Sequence, residues 1–249
     1  MKLIYLSPHL DDAIYSCGGR IWQDVQRGDD VEIWTIFAGD TPADLTPFAR
    51  ELHTRWGAGP EAVSQRREED RAACRILGAS HRHLAFPDCI YRRFADNGEP
   101  VIRTNEDLFK PVHPGEAGLV QQIRDEVLCL NPERLPVFCP LGIGGHLDHR
   151  ITRAAAEATG LPLVYYADFP YAAEASIDIA PFIPLTSKPE SYRLDDASIE
   201  KWADSVEAYS SQLSSFWSSA GEMRSAIRSY AQKVPGRTLW KCKPAGGVQ

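Results

Sequence analysis

The chain opens with a short, continuous apolar run from Lys2 to Ser7, after which the spacing of hydrophobic positions changes. Ile14, Cys17, Ile21, Trp22 and Val25 recur at helical intervals, and Gly28 stands where a left-handed cap stops such a helix. A second β-rich run, Val31 to Ala38, closes at Gly39. The first segment therefore reads as β-α-β.

Residues 40–60 carry turn formers and few periodic apolar positions, which predicts a long, partly mobile loop. Val63, Ala73, Ile76 and Leu77 predict a helix over Glu61 to Leu77 stopped by Gly78, and His83 to Phe86 a short strand. Residues 89–114, with Asn97-Gly98 and three prolines, predict an irregular insertion over one edge of the sheet. Leu119 to Leu130 reads as an amphipathic helix, Pro136 to Leu141 as a strand, Ile151 to Ala158 as a helix and Leu163 to Tyr166 as a fifth strand.

Strands and helices alternating at this rhythm predict an α/β fold: a Rossmann-like, mostly parallel, doubly wound sheet of order 3-2-1-4-5 with helices on both faces. Beyond Pro170 the pattern changes to a Pro-rich stretch and an edge strand at Ser191 to Leu194. A helix follows, with Ile199, Trp202, Val206, Tyr209, Leu213 and Phe216 on one side. The expected organisation is one domain over 1–249, with a core over 1–168 and a C-terminal extension over 169–249.

Charge and composition narrow the function. The net charge is −7, and the densest basic cluster, Arg66-Arg67, runs straight into Glu68-Glu69-Asp70, which argues against a nucleic-acid partner. Six dispersed cysteines without C-x-x-C spacing, and an N-terminus without a secretory pattern, suggest a reduced, cytoplasmic protein. Apolar runs are strand-length, so no membrane partner is expected.

Two clusters carry the candidate chemistry. His9-Leu10-Asp11-Asp12 follows the first strand and His146-Leu147-Asp148-His149 the fourth. In the expected order these strands are neighbours, and their carboxyl ends flank the point where strand order reverses. Three imidazoles and three carboxylates gathered there would be tolerated mainly by binding a cation or sharing protons, and zinc is the first candidate for such a set. Each cluster alone also has an ordinary explanation: His9 and Asp12 as a helix N-cap, His146 and His149 as surface residues of a first helical turn. Cys17 and Cys139 are read as structural, and Gly18-Gly19 lacks the spacing of a dinucleotide fingerprint.

Ser7-Pro8-His9-Leu10-Asp11-Asp12 joined to His146-Leu147-Asp148-His149 resembles the PIG-L/LmbE family of metal-dependent N-deacetylases. Arg66-Arg67-Glu68-Glu69 with Ala73, Leu77 and Gly78, Phe86-Pro87-Asp88, and more loosely Tyr209-Ser210-Ser211-Gln212 extend the likeness. The resemblance implies a metal-dependent hydrolase of a linear amide bond, acting on a small-molecule N-acetylated amino sugar or its glycoconjugate. It implies His9, Asp12 and His149 as zinc ligands, with iron or another divalent ion as a substitute. Asp11 would be the base, His146 would hold the oxyanion or protonate the amine, and Asp148 would orient an imidazole. Arg66 and Asp88 would contact the sugar. Leu10 and Ala13 depart from the proline and glutamate of many relatives, which bears on the substrate branch. The alternatives are an amidase or esterase on a non-sugar acyl group, and a non-catalytic sugar-binding module; a homo-oligomer is left open.

Overall fold

The computed structural model describes residues 1–59 and 61–242; Pro60, at the end of the expected loop, and 243–249 of the expected extension lie outside it. Five parallel strands form its centre: β1 Lys2–Ser7, β2 Asp30–Thr35, β3 Ser80–His83, β4 Val137–Pro140 and β5 Leu163–Tyr166. Their order, 3-2-1-4-5, is the expected one, and the sheet then continues through two antiparallel strands, β7 Thr238–Cys242 and β6 Ser187–Ser191. β1 is central: Tyr5 pairs with Ile33 on one side and Phe138 on the other. Its residues are buried from Leu3 to Ser7, which is why it reads as an unbroken apolar run rather than an alternation.

The helices are α1 Asp12–Gln26, α2 Pro47–Arg55, α3 Ala62–Leu77, α4 Ala117–Leu130, α5 Leu147–Ala158, α6 Asp196–Glu207 and α7 Ala220–Ala231. α1, α3, α6 and α7 pack together, as do α4 and α5. α3 ends at Gly78, whose φ of 74° is the left-handed cap that an L side chain adopts only with strain. Among the described residues, no helix is long and apolar enough to cross a membrane.

Several local expectations are corrected. The 40–60 segment is not a featureless loop, because Thr46 accepts a hydrogen bond from Ala49 N and Pro47 opens α2, burying Phe48, Ala49 and Leu52. β3 falls at Ser80–His83 rather than His83 to Phe86, on mostly exposed polar residues; it is the sheet edge, so burial does not mark it. β6 falls at Ser187–Ser191 rather than at Ser191 to Leu194. The expected helix through Phe216 breaks after Glu207. There Glu69 on α3 accepts hydrogen bonds from Ser211 N, Ser211 Oγ and Ser210 Oγ (2.9, 2.6 and 2.9 Å), and Asp70 accepts one from Tyr209 Oη (2.7 Å). Glu69 thus takes the Ser211 amide from the helical ladder, and the hydroxyl bonds fix the turn that follows beside α3.

Gly18 is a packing residue. A Cβ there would overlap the Trp202 indole of α6, whose Nε1 donates to Tyr15 O at 3.0 Å and so resists retreat. Gly18→Ala gains about 1 kcal/mol of helix propensity but meets an overpacking cost of about 1–3 kcal/mol. The expected result is a lower urea midpoint with unchanged m-value; a raised midpoint would show that α6 yields freely.

Candidate metal centre

β1 delivers His9 and Asp11 to the start of α1, and β4 delivers His146 and Asp148 to the start of α5, because each strand passes into its helix at the carboxyl edge of the sheet. Asp11 occupies the N-cap position of α1 yet makes no side-chain cap hydrogen bond, so helix capping does not account for its carboxylate. His146 does cap α5, its Nδ1 accepting from Asp148 N at 3.3 Å.

Asp12 Oδ2 joins the two clusters. It lies 3.2 Å from His9 Nδ1 and 3.3 Å from His149 Nε2, and it accepts a hydrogen bond from His9 N at 2.8 Å. Two donors bound at about 2.0–2.1 Å to one tetrahedral ion stand roughly 3.3 Å apart. The two outer nitrogens are already committed: His9 Nε2 lies 3.1 Å from Asp148 Oδ2, and His149 Nδ1 lies 2.7 Å from Asp168 Oδ1. Imidazoles so anchored present one fixed nitrogen inward, the arrangement that metal-binding histidines need. Ligand-capable atoms of His9, His146 and His149 also lie within 4.8 Å of one another. In spacing and chemistry this donor set fits a divalent cation.

The outer partners are themselves held. Asp148, fully buried, accepts from Cys89 N at 2.9 Å and pairs with Arg92 Nη2 at 2.7 Å, while Arg92 Nε donates to Glu116 Oε1 at 2.6 Å. Asp168 Oδ2 accepts from Ile143 N at 2.9 Å. Of the residues expected to meet the sugar, Arg66 brings Nη2 to 3.5 Å from Asp11 Oδ2. Asp88 caps a 3₁₀ turn through Oδ1 and holds Oδ2 3.8 Å from His9 Nε2. Arg92, Glu116 and Asp168 escaped sequence reasoning. Asp168 could have been found, since it lies just past β5, at the same sheet edge as the other two clusters.

The field is strongly structured. Burial and the neighbouring Asp12 push Asp11 up to about 7, with Arg66 opposing. Burial acts the same way on Asp12, but His149 and His9 outweigh it and hold that carboxyl well below its usual range. Burial together with His9 and His149 holds His146 well below the usual histidine value. Burial lowers His149 too, but Asp12 and Asp168 reverse it and raise the imidazole to about 10; burial also lowers His9, but Asp88, Asp12 and Asp148 outweigh it and hold that imidazole well above the usual histidine value. Surroundings that favour protonated imidazoles favour a divalent cation for the same reason, and the cation must displace those protons. Burial pushes the Cys89 thiol well up, so it keeps its proton beside Asp148.

Asp168→Ala should lower metal affinity about 10–100-fold, measured by chelator competition. Unchanged affinity would show that Asp168 does not orient His149.

His9, Asp11, Asp12, Arg66, Asp88, His146 and His149 line a cleft of about 210 Å³ with Tyr15, Trp56, Phe109, Tyr171 and Phe216 among its walls. Residues 4–159 match the PIG-L family, described as GlcNAc-PI de-N-acetylase. The chain is 29% identical over 187 residues to a 2'-N-acetylparomamine deacetylase of Niallia circulans, covering 68% of this chain and 66% of that protein. It is 32% identical over 179 residues to the 2'-N-acetylparomamine deacetylase of Streptomyces fradiae, covering 70% and 58%. The match thus spans less than two thirds of the length of either relative. Among solved structures, the zinc-inhibited form of teicoplanin deacetylase Orf2 superposes with a TM-score of 0.83 at 30% identity, covering 97% of both chains.

Proposed function

The chain belongs to the PIG-L family, and from that premise we propose that it is a metal-dependent N-deacetylase, hydrolysing the acetamide of an N-acetylated amino sugar or its glycoconjugate. The observation that carries this reading is the approach of His9 Nδ1 and His149 Nε2 to one oxygen, Asp12 Oδ2, at 3.2 and 3.3 Å, with both outer nitrogens anchored by carboxylates. His9, Asp12 and His149 would hold the ion, zinc in the first instance. The chemistry a divalent ion supplies at such a set is Lewis-acid polarisation of a carbonyl and acidification of water.

The remaining residues divide the proton work. Asp11, free of capping duty and raised to about 7, takes a proton from the attacking water and can return it to the departing amine. His146 accepts from Asp148 N through Nδ1 and is held neutral, so its remaining proton sits on Nε2. A neutral Nε2–H is a donor for the oxyanion that develops on the acetamide oxygen, and a nearby cation reinforces that neutrality. Asp148 and Asp168 fix the two ligand imidazoles. Arg66 and Asp88, at the cleft wall, bind the sugar hydroxyls.

The test uses protein reconstituted separately with zinc and with ferrous iron, given N-acetylglucosamine, its glycosides and simple acyl amides and esters. Equimolar acetate and amine from the sugars, abolished by chelator, is expected. Turnover of the simple acyl compounds alone would replace the sugar deacetylase with a general amidase or esterase. Sugar binding indifferent to chelator, with no bound metal, would leave only a binding module.

A further inference from the structure

Among the described residues the exposed large hydrophobic side chains are Met1, Phe109, Leu185, Phe216 and Val234, and the two aromatic ones, 42% and 40% exposed, both line the same cleft. They come from unrelated parts of the chain. Phe109 ends the 3₁₀ turn Asn105–Phe109, and Phe216 follows the turn Leu213–Ser215 beyond α6.

Both are tied to the site by a continuous series of rings. Phe109 stands perpendicular to His146 at 6.0 Å between centroids, His146 lies 5.3 Å from His149, His149 lies 6.2 Å from Tyr171, and Tyr171 stands perpendicular to Phe216 at 6.2 Å. The polar site sits in the middle of this arc, and an exposed phenyl ring stands at each end. A substituent that leaves the sugar along this arc meets one of these rings within two ring positions. The cleft itself, about 210 Å³, falls short of the roughly 300–1,000 Å³ of a drug-sized ligand site. It has room for a sugar near the imidazoles, while anything larger extends over the rim.

Single exposed apolar side chains are ordinary, but apolar surface gathered at one groove marks a ligand surface, and aromatic rings meet other rings in offset or edge-on geometry with a gain beyond burial. We infer that Phe109 and Phe216 form an aglycone subsite, and that the preferred substrate carries its N-acetylated amino sugar on a flat aromatic group. This inference rests on the deacetylase reading for the sugar end alone.

Equilibrium binding of the phenyl, methyl and hexyl β-glycosides of N-acetylglucosamine to metal-loaded Asp11→Asn protein reads the subsite without turnover. The phenyl glycoside is expected to bind at least tenfold more tightly than the methyl glycoside, Phe109→Ala or Phe216→Ala, whichever removes the ring the phenyl group meets, to cut that ratio about three- to tenfold, and the double variant to lose the preference. Because the readout is a ratio within one protein, a general loss of folded material cancels. Equal affinity for phenyl and methyl glycosides, or a ratio unchanged in the double variant, would overturn the subsite; hexyl binding as tightly as phenyl would overturn its aromatic character. A phenyl preference that collapses in the variants supports the subsite even where wild-type protein releases acetate from neither glycoside, an outcome that counts against the deacetylase reading instead.

Discussion

Asp11→Asn is expected to lower kcat on an N-acetylated sugar by about 10²–10⁴-fold, the range for removing a positioned general base, while bound metal stays stoichiometric. The amide keeps the size of the carboxyl group but cannot take a proton from water. Because Asp11 neither caps α1 nor lies among the three proposed ligands, the substitution separates proton transfer from metal binding. The wild-type rate should also climb as pH rises through about 7, where Asp11 gains its basic form, and that limb should vanish in the variant. Metal content by atomic spectroscopy alongside initial rates checks both. Full activity in the variant would remove Asp11 from the mechanism, and a loss that tracks missing metal would make it a ligand.

Arg92→Met is expected to give the largest loss of stability. Arg92 lies between Glu116 and Asp148, all three nearly inaccessible to water, with contacts of 2.6 and 2.7 Å. Replacing such a group whole by apolar residues can be neutral, but removing one member strands charge in a low-dielectric interior, at a cost of about 3–5 kcal/mol. For a chain of this size that corresponds to a fall in Tm on the order of 10 °C, readable in metal-free protein. A shift below about 3 °C would mean that Asp148 finds another partner. The same pairing sets an acid limit. Burial would raise the Asp148 carboxyl, but Arg92 and His9 hold it well below its usual value. Its contribution is therefore complete above the unfolded value of about 3.9, and stability declines below that pH as the unfolded chain takes up a proton the native state refuses.

Order and kind of the central elements were legible because they depend on local periodicity. β1, β4 and β5 are buried runs, α1, α4 and α5 carry apolar residues at helical spacing, and the crossover rule orders the strands. The same logic puts His9 to Asp12 and His146 to His149 at strand ends, and hence side by side. It fails where the signal is short or polar. α2 is announced only by Thr46-Pro47, and α7 by Met223, Ile227 and Tyr230, a spacing easily passed over after a Pro-rich stretch.

By itself, then, the sequence determined the parallel core, the two histidine and aspartate clusters and the edge of the sheet where they meet. Tertiary structure alone decided that Asp148 anchors His9, that Asp168 anchors His149, that Arg92 and Glu116 stand behind Asp148, and that Glu69 ends α6 early enough for Phe216 to reach the cleft rim. The division has one physical cause. Backbone periodicity is read over a few neighbouring residues, whereas a hydrogen bond such as His9 to Asp148, 139 residues apart, depends on where two side chains arrive once the core has packed, which no local pattern records.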